Sequence, residues 1–158
     1  GAGLIVTDVD PGRVRRVAEA TGARAVEPDE IYEAQADLFS PCALGGILNA
    51  ESIPRLRAEV VAGAANNQLR APEDGERLRE RDILYAPDYI VNAGGVIGGC
   101  REILGWSEEE VRRRIEEIYD TLLAVLRLAE PEGLPPHVAA DRLAEERLAA
   151  LAAKRRSS

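Results

Sequence analysis

The sequence predicts an α/β fold in which a parallel sheet is followed by C-terminal helices. Five short apolar runs alternate with helical or turn-rich segments up to Tyr85, strand signals stop beyond Val96, and the remaining residues carry helical spacing. Alternating strands and helices imply right-handed crossovers and therefore a parallel sheet. A chain of 158 residues is long enough for one domain with its own core.

The first two elements are predicted from residues 4–22. Residues 4–8 form a continuous apolar run that ends in an acid, which is typical of a buried parallel strand covered on both faces. Asp10 and Pro11 predict the start of a helix, with Asp10 as the N-cap and Pro11 at the first helical position. Gly22 predicts its end.

Short strands and helical segments then alternate. Residues 51–58 carry a weak helical signal, and residues 72–81 predict a helix. The remaining strands are predicted at 23–26, 37–40, 60–63 and 83–85.

The C-terminal third is predicted to be helical. Ser107 and Glu110 have the spacing of a capping box, and a helix is expected to run from there to Ala129. Residues 132–135 interrupt it, and a last helix is predicted over 136–153. We therefore divide the chain into residues 1–106, which carry all the predicted strands, and residues 107–158, a helical extension that packs on the same domain. Apolar residues recur at helical spacing along the helix that starts at Ser107, namely Val111, Ile115, Ile118, Leu122, Val125 and Leu126.

Composition excludes several classes of function. The net charge of −8 argues against a nucleic acid partner, and no apolar run approaches the roughly 20 residues that cross a bilayer. Cys42 and Cys100 have no metal-ligand spacing and are expected to be reduced thiols in a cytoplasmic protein. Lys154 is the only lysine and His137 the only histidine. Histidine metal sites, serine–histidine triads and lysine-based proton transfer therefore lack their usual residues, so we predict no metal site and no catalytic residue in this chain.

Polar or small residues follow several of the predicted strands, where parallel sheets bind ligands. Asp8 closes the first strand and suits hydrogen bonding to the ribose of an adenine dinucleotide. A carboxylate there would repel a 2′-phosphate, which favours NAD over NADP. The alternative is a helix-capping acid, although Asp10 already fills that role.

Two further turns carry candidate ligand contacts. Residues 64–68 combine small side chains with the amides of Asn66, Asn67 and Gln68, which can hold a flat ring and a carboxamide, although such a turn can also be only a turn. Asn92 precedes Gly94 and Gly95 at the exit of the last strand, where glycines let a ligand approach the backbone, and the alternative is a loop whose glycines satisfy turn geometry.

The turn at residues 40–46 gives a weaker signal. Cys42 lacks a nearby base or cation that would lower its thiol pKa, so we interpret it as a packing residue and not as a nucleophile.

The phosphate loop of a dinucleotide-binding fold is missing. Such a fold carries Gly-x-Gly-x-x-Gly at its first strand-to-helix turn, about 20 residues before the ribose acid. Only seven residues precede Asp8. Gly1-Ala2-Gly3 comes before a strand and not after one, and Val6 occupies the position of the third glycine.

Together these segments resemble the C-terminal cofactor domain of the glutamate/leucine/phenylalanine/valine dehydrogenase family, nearest to its leucine-type branch. The resemblance implies NAD-dependent oxidative deamination, in which an L-amino acid and water give a 2-oxo acid and ammonium. It also implies a homo-oligomeric full-length protein. The residues that carry it are 4–10, 22–26, 40–46, 62–69, 85–96 and 139–148.

The resemblance also assigns roles to individual residues. Asn92 matches the asparagine that holds the substrate carboxylate, and Val96 lies where the family lines the substrate side-chain pocket. Leucine-type proteins usually carry a bulkier residue at the position of Gly99. The glycine would either enlarge that pocket or leave space that a residue from the missing domain fills. The positions that match the family's cofactor contacts are Asp8, Val9, Cys42, Ala43, Ala65, Asn66 and Asn67.

Two departures from the family predict a truncated Rossmann-like fold. The family's catalytic lysine and aspartate lie in an N-terminal domain that has no match here, and the first strand with its glycine loop is missing too. That strand normally lies between the first and third strands present, so the sheet would lack a central member. We therefore expect an inactive fragment. The alternatives are a non-catalytic nucleotide-binding or regulatory domain and another Rossmann dehydrogenase, and the substrate side chain stays open.

Overall fold

The computed structural model describes residues 1–156 and has an α/β fold with parallel sheets and helices. The described residues form two sheets, one with the order β1-β2 and one with the order β3-β4-β5, and every pairing within them is parallel. The predicted strand positions are confirmed, although each strand is shorter than predicted. The strands are β1 (Ile5–Val6), β2 (Arg24–Ala25), β3 (Leu38–Phe39), β4 (Val60–Val61) and β5 (Leu84–Tyr85).

Helices follow the strands and form the C-terminal third of the chain. Short 3-10 turns at Glu30–Glu33 and Ile53–Arg55 occupy connections between strands. The helices are α1 (Pro11–Thr21), α2 (Glu73–Glu80), α3 (Asp88–Val91), α4 (Gly94–Leu104), α5 (Glu108–Glu132) and α6 (Pro136–Arg156). No helix among the described residues is long and apolar enough to span a membrane.

Three of the predicted helix ends are confirmed by their caps. Asp10 Oδ1 accepts hydrogen bonds from the backbone N–H groups of Gly12 and Arg13, at 2.7 and 3.2 Å. Gly22 ends α1 with a left-handed φ of 74°. Ser107 Oγ accepts a hydrogen bond from the N–H of Glu110 at 3.1 Å, whereas the Glu110 carboxylate pairs with arginines of its own helix.

Two apolar clusters form the interior. The first lies between the three-stranded sheet and α2, and the second joins α3 to α5 and α6. The buried members of the first are Leu48, Ile53, Leu56, Val61, Leu78, Ile83 and Tyr85. Those of the second are Ile90, Val125, Ala129, Ala139 and Ala140.

The prediction that residues 4–8 form a buried strand is wrong. Residues 5–8 are half-buried, Leu4 is exposed, and only Ile5–Val6 has strand geometry. β1 pairs with β2 alone among the described residues. The apolar run therefore has the composition of a covered strand without a second neighbour to cover it.

Three helix boundaries also differ from the prediction. α3 was not predicted, because its residues continue the apolar strand signal of β5. α5 continues through Pro131 to Glu132, where a proline in the last turn is tolerated, and α6 extends to Arg156. Gly133, with a φ of 61°, ends α5.

Candidate functional site

Three turns meet at the carboxyl edge of the three-stranded sheet, because each follows a parallel strand and all parallel strands end at the same edge. The turn after β3 contacts the turn after β4 through its backbone. Ala65 N–H donates to the carbonyl of Pro41 at 2.9 Å, and Gly46 N–H donates to the carbonyl of Asn67 at 2.7 Å. These contacts hold the two turns side by side.

Two glycines allow this close approach. A Cβ at Gly63 would lie 2.2 Å from the carbonyl oxygen of Pro41, and one at Gly45 would lie 2.7 Å from the carbonyl oxygen of Asn66. Neither distance leaves room for a side chain. The glycines of these turns therefore serve backbone packing between the turns.

Asn66 and Asn92, both predicted from the sequence, contact each other. Asn92 Nδ2 donates to Asn66 Oδ1 at 2.6 Å, and its longer contacts to the carbonyls of Ala64 and Ala65 are both 3.5 Å. Asn92 lies at the C-terminal end of α3, and Asn66 lies in the turn after β4. The two amides thus join the exits of neighbouring strands.

A buried acid that the sequence analysis missed lies beneath this pair. Asp88 begins α3, and its Oδ1 accepts a hydrogen bond from the hydroxyl of Tyr85 at 2.6 Å. Its Oδ2 accepts from the backbone N–H of Asn67 at 2.7 Å. Burial, followed by the hydrogen bond to Asp88, raises the pKa of Tyr85 well above its usual range, so this hydroxyl stays a donor. One signal was present in the sequence, since an acid follows the strand here as Asp8 follows β1.

Gln68 is not a ligand contact, contrary to its grouping with the two asparagines. Its side chain is fully buried, and Nε2 donates to the carbonyls of Gly63 and Ala65 at 2.8 and 3.0 Å. Gln68 therefore fixes the shape of the small-residue turn from inside.

Cys42 and Ala43 are exposed, so the interpretation of Cys42 as a packing residue is wrong. The Cys42 sulfur lies 3.5 Å from Ser40 Oγ. Pro41, and not Cys42, is the buried residue of this turn.

Asp8 and Val9 lie in the turn that follows β1, the strand that pairs with β2. Asp8 is half-buried, and its Oδ1 accepts a hydrogen bond from the N–H of Asp10 at 2.9 Å, while Val9 is exposed. The carboxyl end of β1 thus presents an acid, as the sequence predicts.

Val96 projects from the first turn of α4 and is 74% exposed. The same helix also borders an open cavity of about 260 Å³ between α3, α4 and α5. Arg114 lies over the ring of Trp106 in its wall, with 4.1 Å from Cζ to the ring centroid. Ala93 and Ile97 also line this cavity, whereas Val96 does not. Among residues 1–156, no group of His, Cys, Asp or Glu has an arrangement that could hold a metal ion.

The sequence matches the profile of the glutamate/leucine/phenylalanine/valine dehydrogenase family over residues 4–156. The chain is 50% identical to leucine dehydrogenase of Bacillus cereus over 151 residues, which cover 96% of this chain and 41% of that protein. It is 48% identical to L-tryptophan dehydrogenase of Nostoc punctiforme over 146 residues, covering 92% of this chain and 41% of that protein. The chain therefore spans about two fifths of the length of these relatives.

Solved structures give the same relationship. The crystal structure of L-tryptophan dehydrogenase from Nostoc punctiforme superimposes with a TM-score of 0.90 at 47% identity, covering 94% of this chain and 45% of that one. The hetero-hexameric glutamate dehydrogenase of Thermus thermophilus gives a TM-score of 0.65 at 31% identity, covering 89% of this chain and 36% of that one. Both the sequence match and the shared fold lead to one assignment: the chain belongs to the glutamate/leucine/phenylalanine/valine dehydrogenase family.

Proposed function

We propose that this chain is the C-terminal NAD-binding domain of an amino acid dehydrogenase and supplies half of its active site. The reaction would be the reversible oxidative deamination of a hydrophobic L-amino acid to a 2-oxo acid and ammonium. The observation that carries the proposal is the contact between Asn92 and Asn66, which joins the predicted substrate residue to the predicted cofactor turn.

The residues at the carboxyl edges of the strands fit a dinucleotide. Cys42, Ala43, Asn66 and Asn67 are exposed at the edge of the three-stranded sheet, with small side chains beside amides. Asp8 would accept hydrogen bonds from the adenosine ribose, with the exposed Val9 beside it. Cys42, Ala43, Asn66 and Asn67 would border the adenosine and nicotinamide halves, whereas Ala65, also predicted as a cofactor contact, is only 4% exposed. When bound, NAD would accept the hydride from the substrate.

Asn92 would hold the substrate carboxylate. Its Nδ2 carries two hydrogens, and the bond to Asn66 uses one of them. The second makes only the 3.5 Å contacts to the carbonyls of Ala64 and Ala65. It can donate to a carboxylate instead, and charge-assisted bonds of this type are stronger than neutral ones. Val96, exposed on the next helix, would contact the substrate side chain, and Gly99 leaves that surface without a bulky neighbour.

The division of the strands into two sheets supports the assignment to a Rossmann-like domain. Among the described residues, β1 pairs only with β2, and β3 pairs only with β4. In the usual strand order of a Rossmann fold, the strand that carries the glycine loop lies between the strands that correspond to β1 and β3. We propose that a segment present in the longer relatives supplies this strand, and that the acid–base residues come from their additional domain.

The assembly and location of the protein follow by extension from the family. The Thermus thermophilus relative is described as a hetero-hexamer. We propose that the parent of this chain is a cytoplasmic homo-oligomer that acts on a small-molecule amino acid, with no nucleic acid partner and no membrane insertion.

The test compares the 158-residue chain with a longer protein expressed together with its upstream coding sequence. The short chain is expected to show no NAD-dependent deamination of leucine and only weak NAD binding by calorimetry. The longer protein is expected to deaminate hydrophobic L-amino acids. Leucine turnover by the short chain, or micromolar NAD binding by it, would contradict the proposal that this chain supplies only half of the active site. NAD binding without deamination by the longer protein would favour a non-catalytic domain.

A variant pair tests the role of Asn92 in the longer protein. Asn92→Ala should raise KM for the amino acid about 10- to 100-fold, because a hydrogen bond to a charged group contributes about 1.5–3 kcal/mol. Gln35→Ala, an exposed amide outside the four candidate turns, is the matched control and should leave KM unchanged. An equal effect of the two substitutions would remove Asn92 from the substrate site.

A further inference from the structure

We infer that Asp88 is a positioning residue of the candidate site, because its side chain and its backbone together fix Asn66, Asn67 and Asn92. The effect of Asp88 on a dehydrogenase reaction rests on the proposed function. Its structural content stands independently, on the hydrogen bonds of one buried carboxylate.

The Asp88 side chain is placed where both of its oxygens are used. The residue is 7% exposed, and a carboxylate at such a depth is stable only when its oxygens are hydrogen-bonded. Tyr85, fully buried at the end of β5, donates to Oδ1. The N–H of Asn67 donates to Oδ2. One side chain therefore ties the end of β5 to the turn after β4.

Asn67 is the point at which this bond has its effect. Its φ of 53° lies in the left-handed region, which a residue with a side chain adopts only at some cost. Its N–H is held by Asp88, and its carbonyl accepts the N–H of Gly46. The backbone of Asn67 thus links all three turns, and its conformation sets the direction of the neighbouring Asn66.

The backbone of Asp88 acts on the other asparagine. Its carbonyl accepts the N–H of Asn92 at 2.8 Å, across the single turn of α3. Asn92 then donates to Asn66. These three hydrogen bonds and the peptide bond between Asn66 and Asn67 connect Asp88, Asn67, Asn66 and Asn92 in a ring. The direction of the Asn92 amide therefore depends on Asp88.

Asp74 provides a matched control. It is also a buried aspartate in the first turn of a helix, and it accepts hydrogen bonds from the N–H of Ala71 and from Arg77. Asp88→Asn and Asp74→Asn both replace a buried carboxylate by an amide of the same shape. Both partners of Asp74 are donors, so Asp74→Asn loses one of its two bonds. In Asp88→Asn the single amide oxygen can accept from Tyr85 or from Asn67 but not from both in the original manner, and Asp88→Ala removes both acceptors. Only Asp88→Asn acts on the Asn67 turn.

The experiment measures the side-chain amide of Asn92 by NMR in the ligand-free 158-residue chain, with the signal assigned by its loss in Asn92→Ala. Asp88→Asn should speed hydrogen exchange of this amide about tenfold or more, because its partner Asn66 loses its fixed direction. Asp74→Asn should leave the exchange within about twofold of the parent chain. Unchanged exchange in Asp88→Ala, which has neither acceptor, or equal acceleration in Asp88→Asn and Asp74→Asn, would overturn the inference.

Tyr85→Phe keeps the test decisive if Asp88→Asn does not fold. It removes the donor to Oδ1 and keeps the carboxylate and the aromatic ring, so a smaller acceleration in the same amide is expected, and no acceleration would overturn the inference. In the longer dehydrogenase, Asp88→Asn should raise KM for the amino acid, and Asp74→Asn should not. Absence of any dehydrogenase activity would refute the proposed function, whereas the amide measurement would still decide the role of Asp88.

Discussion

The N-terminal β-α-β unit, residues 4–26, and the three-stranded unit, residues 38–85, are built from the same local signals but differ in burial. Each has parallel strands joined by capped or turn-bounded connections. In the three-stranded unit, Val61, Leu78 and Tyr85 are buried in a common cluster. Within residues 4–26 no residue is buried. Local signals therefore suffice to define elements, whereas a core requires a second covering layer.

The difference follows from the sheet topology. β4 has a strand on each side, so its residues can be covered laterally and by α2. β1 pairs with β2 alone among the described residues, and α1 contributes no buried side chain. We expect the β-α-β unit to open locally at much lower free energy than the three-stranded unit.

The largest expected effect is the change in the free energy of unfolding when one apolar side chain is truncated in each unit. Leu78 is 0% exposed and Val17 is 43% exposed. Leu78→Ala should lower the free energy of unfolding by about 2–5 kcal/mol, through lost burial and the cavity left behind. Val17→Ala should change it by less than about 0.5 kcal/mol. Urea unfolding followed by circular dichroism measures both. A similar loss in the two variants would mean that α1 has a covered face.

The helix caps give a test of intermediate size. Ser107→Ala removes the cap of α5, which packs in the second apolar cluster, and should lower the free energy of unfolding by about 1 kcal/mol. Asp10→Ala removes the cap of α1 and should instead reduce the protection of the α1 amides, with a smaller shift of the urea midpoint. Hydrogen exchange read by mass spectrometry separates the two outcomes. A larger midpoint shift for Asp10→Ala would show that α1 belongs to the cooperative core.

The sequence predicted those features that depend on near neighbours. Asp10, Gly22 and Ser107 each act on residues within one helical turn, and all three have the predicted role. The order of strands along the chain is likewise local, because each apolar run has its own boundaries. The pattern predicts a strand that is too long over residues 4–8, because it implies burial. Burial depends on a neighbouring strand or helix that the local pattern does not show.

The candidate site was predictable as a set of turns but not as a network. The carboxyl ends of parallel strands share an edge, which placed Asn66 and Asn92 in one region. Their direct contact joins residues 26 positions apart and depends on side-chain direction. Asp88 was missed because its short helix continues an apolar strand signal, and Gln68 was misassigned because an amide in a turn gives no sign of its burial.

The smallest expected effect is a pH dependence of the free energy of unfolding, restricted to the part of the molecule that has buried apolar clusters. His137, at the start of α6, lies against Gly75 of α2, and a Cβ on that glycine would be 2.2 Å from the imidazole. Burial lowers the pKa of His137 below its ordinary value of 6.5, and the charges of Asp141 and Glu76 oppose this only in part. Tyr89, from α3, donates to the His137 carbonyl and to Asp141.

The sign of the effect follows from where the proton binds. Because the unfolded chain binds the His137 proton at higher pH than the folded chain, the stabilisation is complete above the unfolded value of 6.5. It is lost as the pH falls through the lower folded pKa. Urea unfolding between about pH 7.5 and about pH 5.5 should show this loss, and His137→Gln should flatten it.

His137 is the only histidine of the sequence, so the β-α-β unit contains no histidine. Its amide protection, corrected for intrinsic exchange rates, should not follow the same pH dependence. A parallel loss in both units would show that α1 and α6 unfold together, and the N-terminal unit would then be part of the same cooperative structure despite its lack of buried residues.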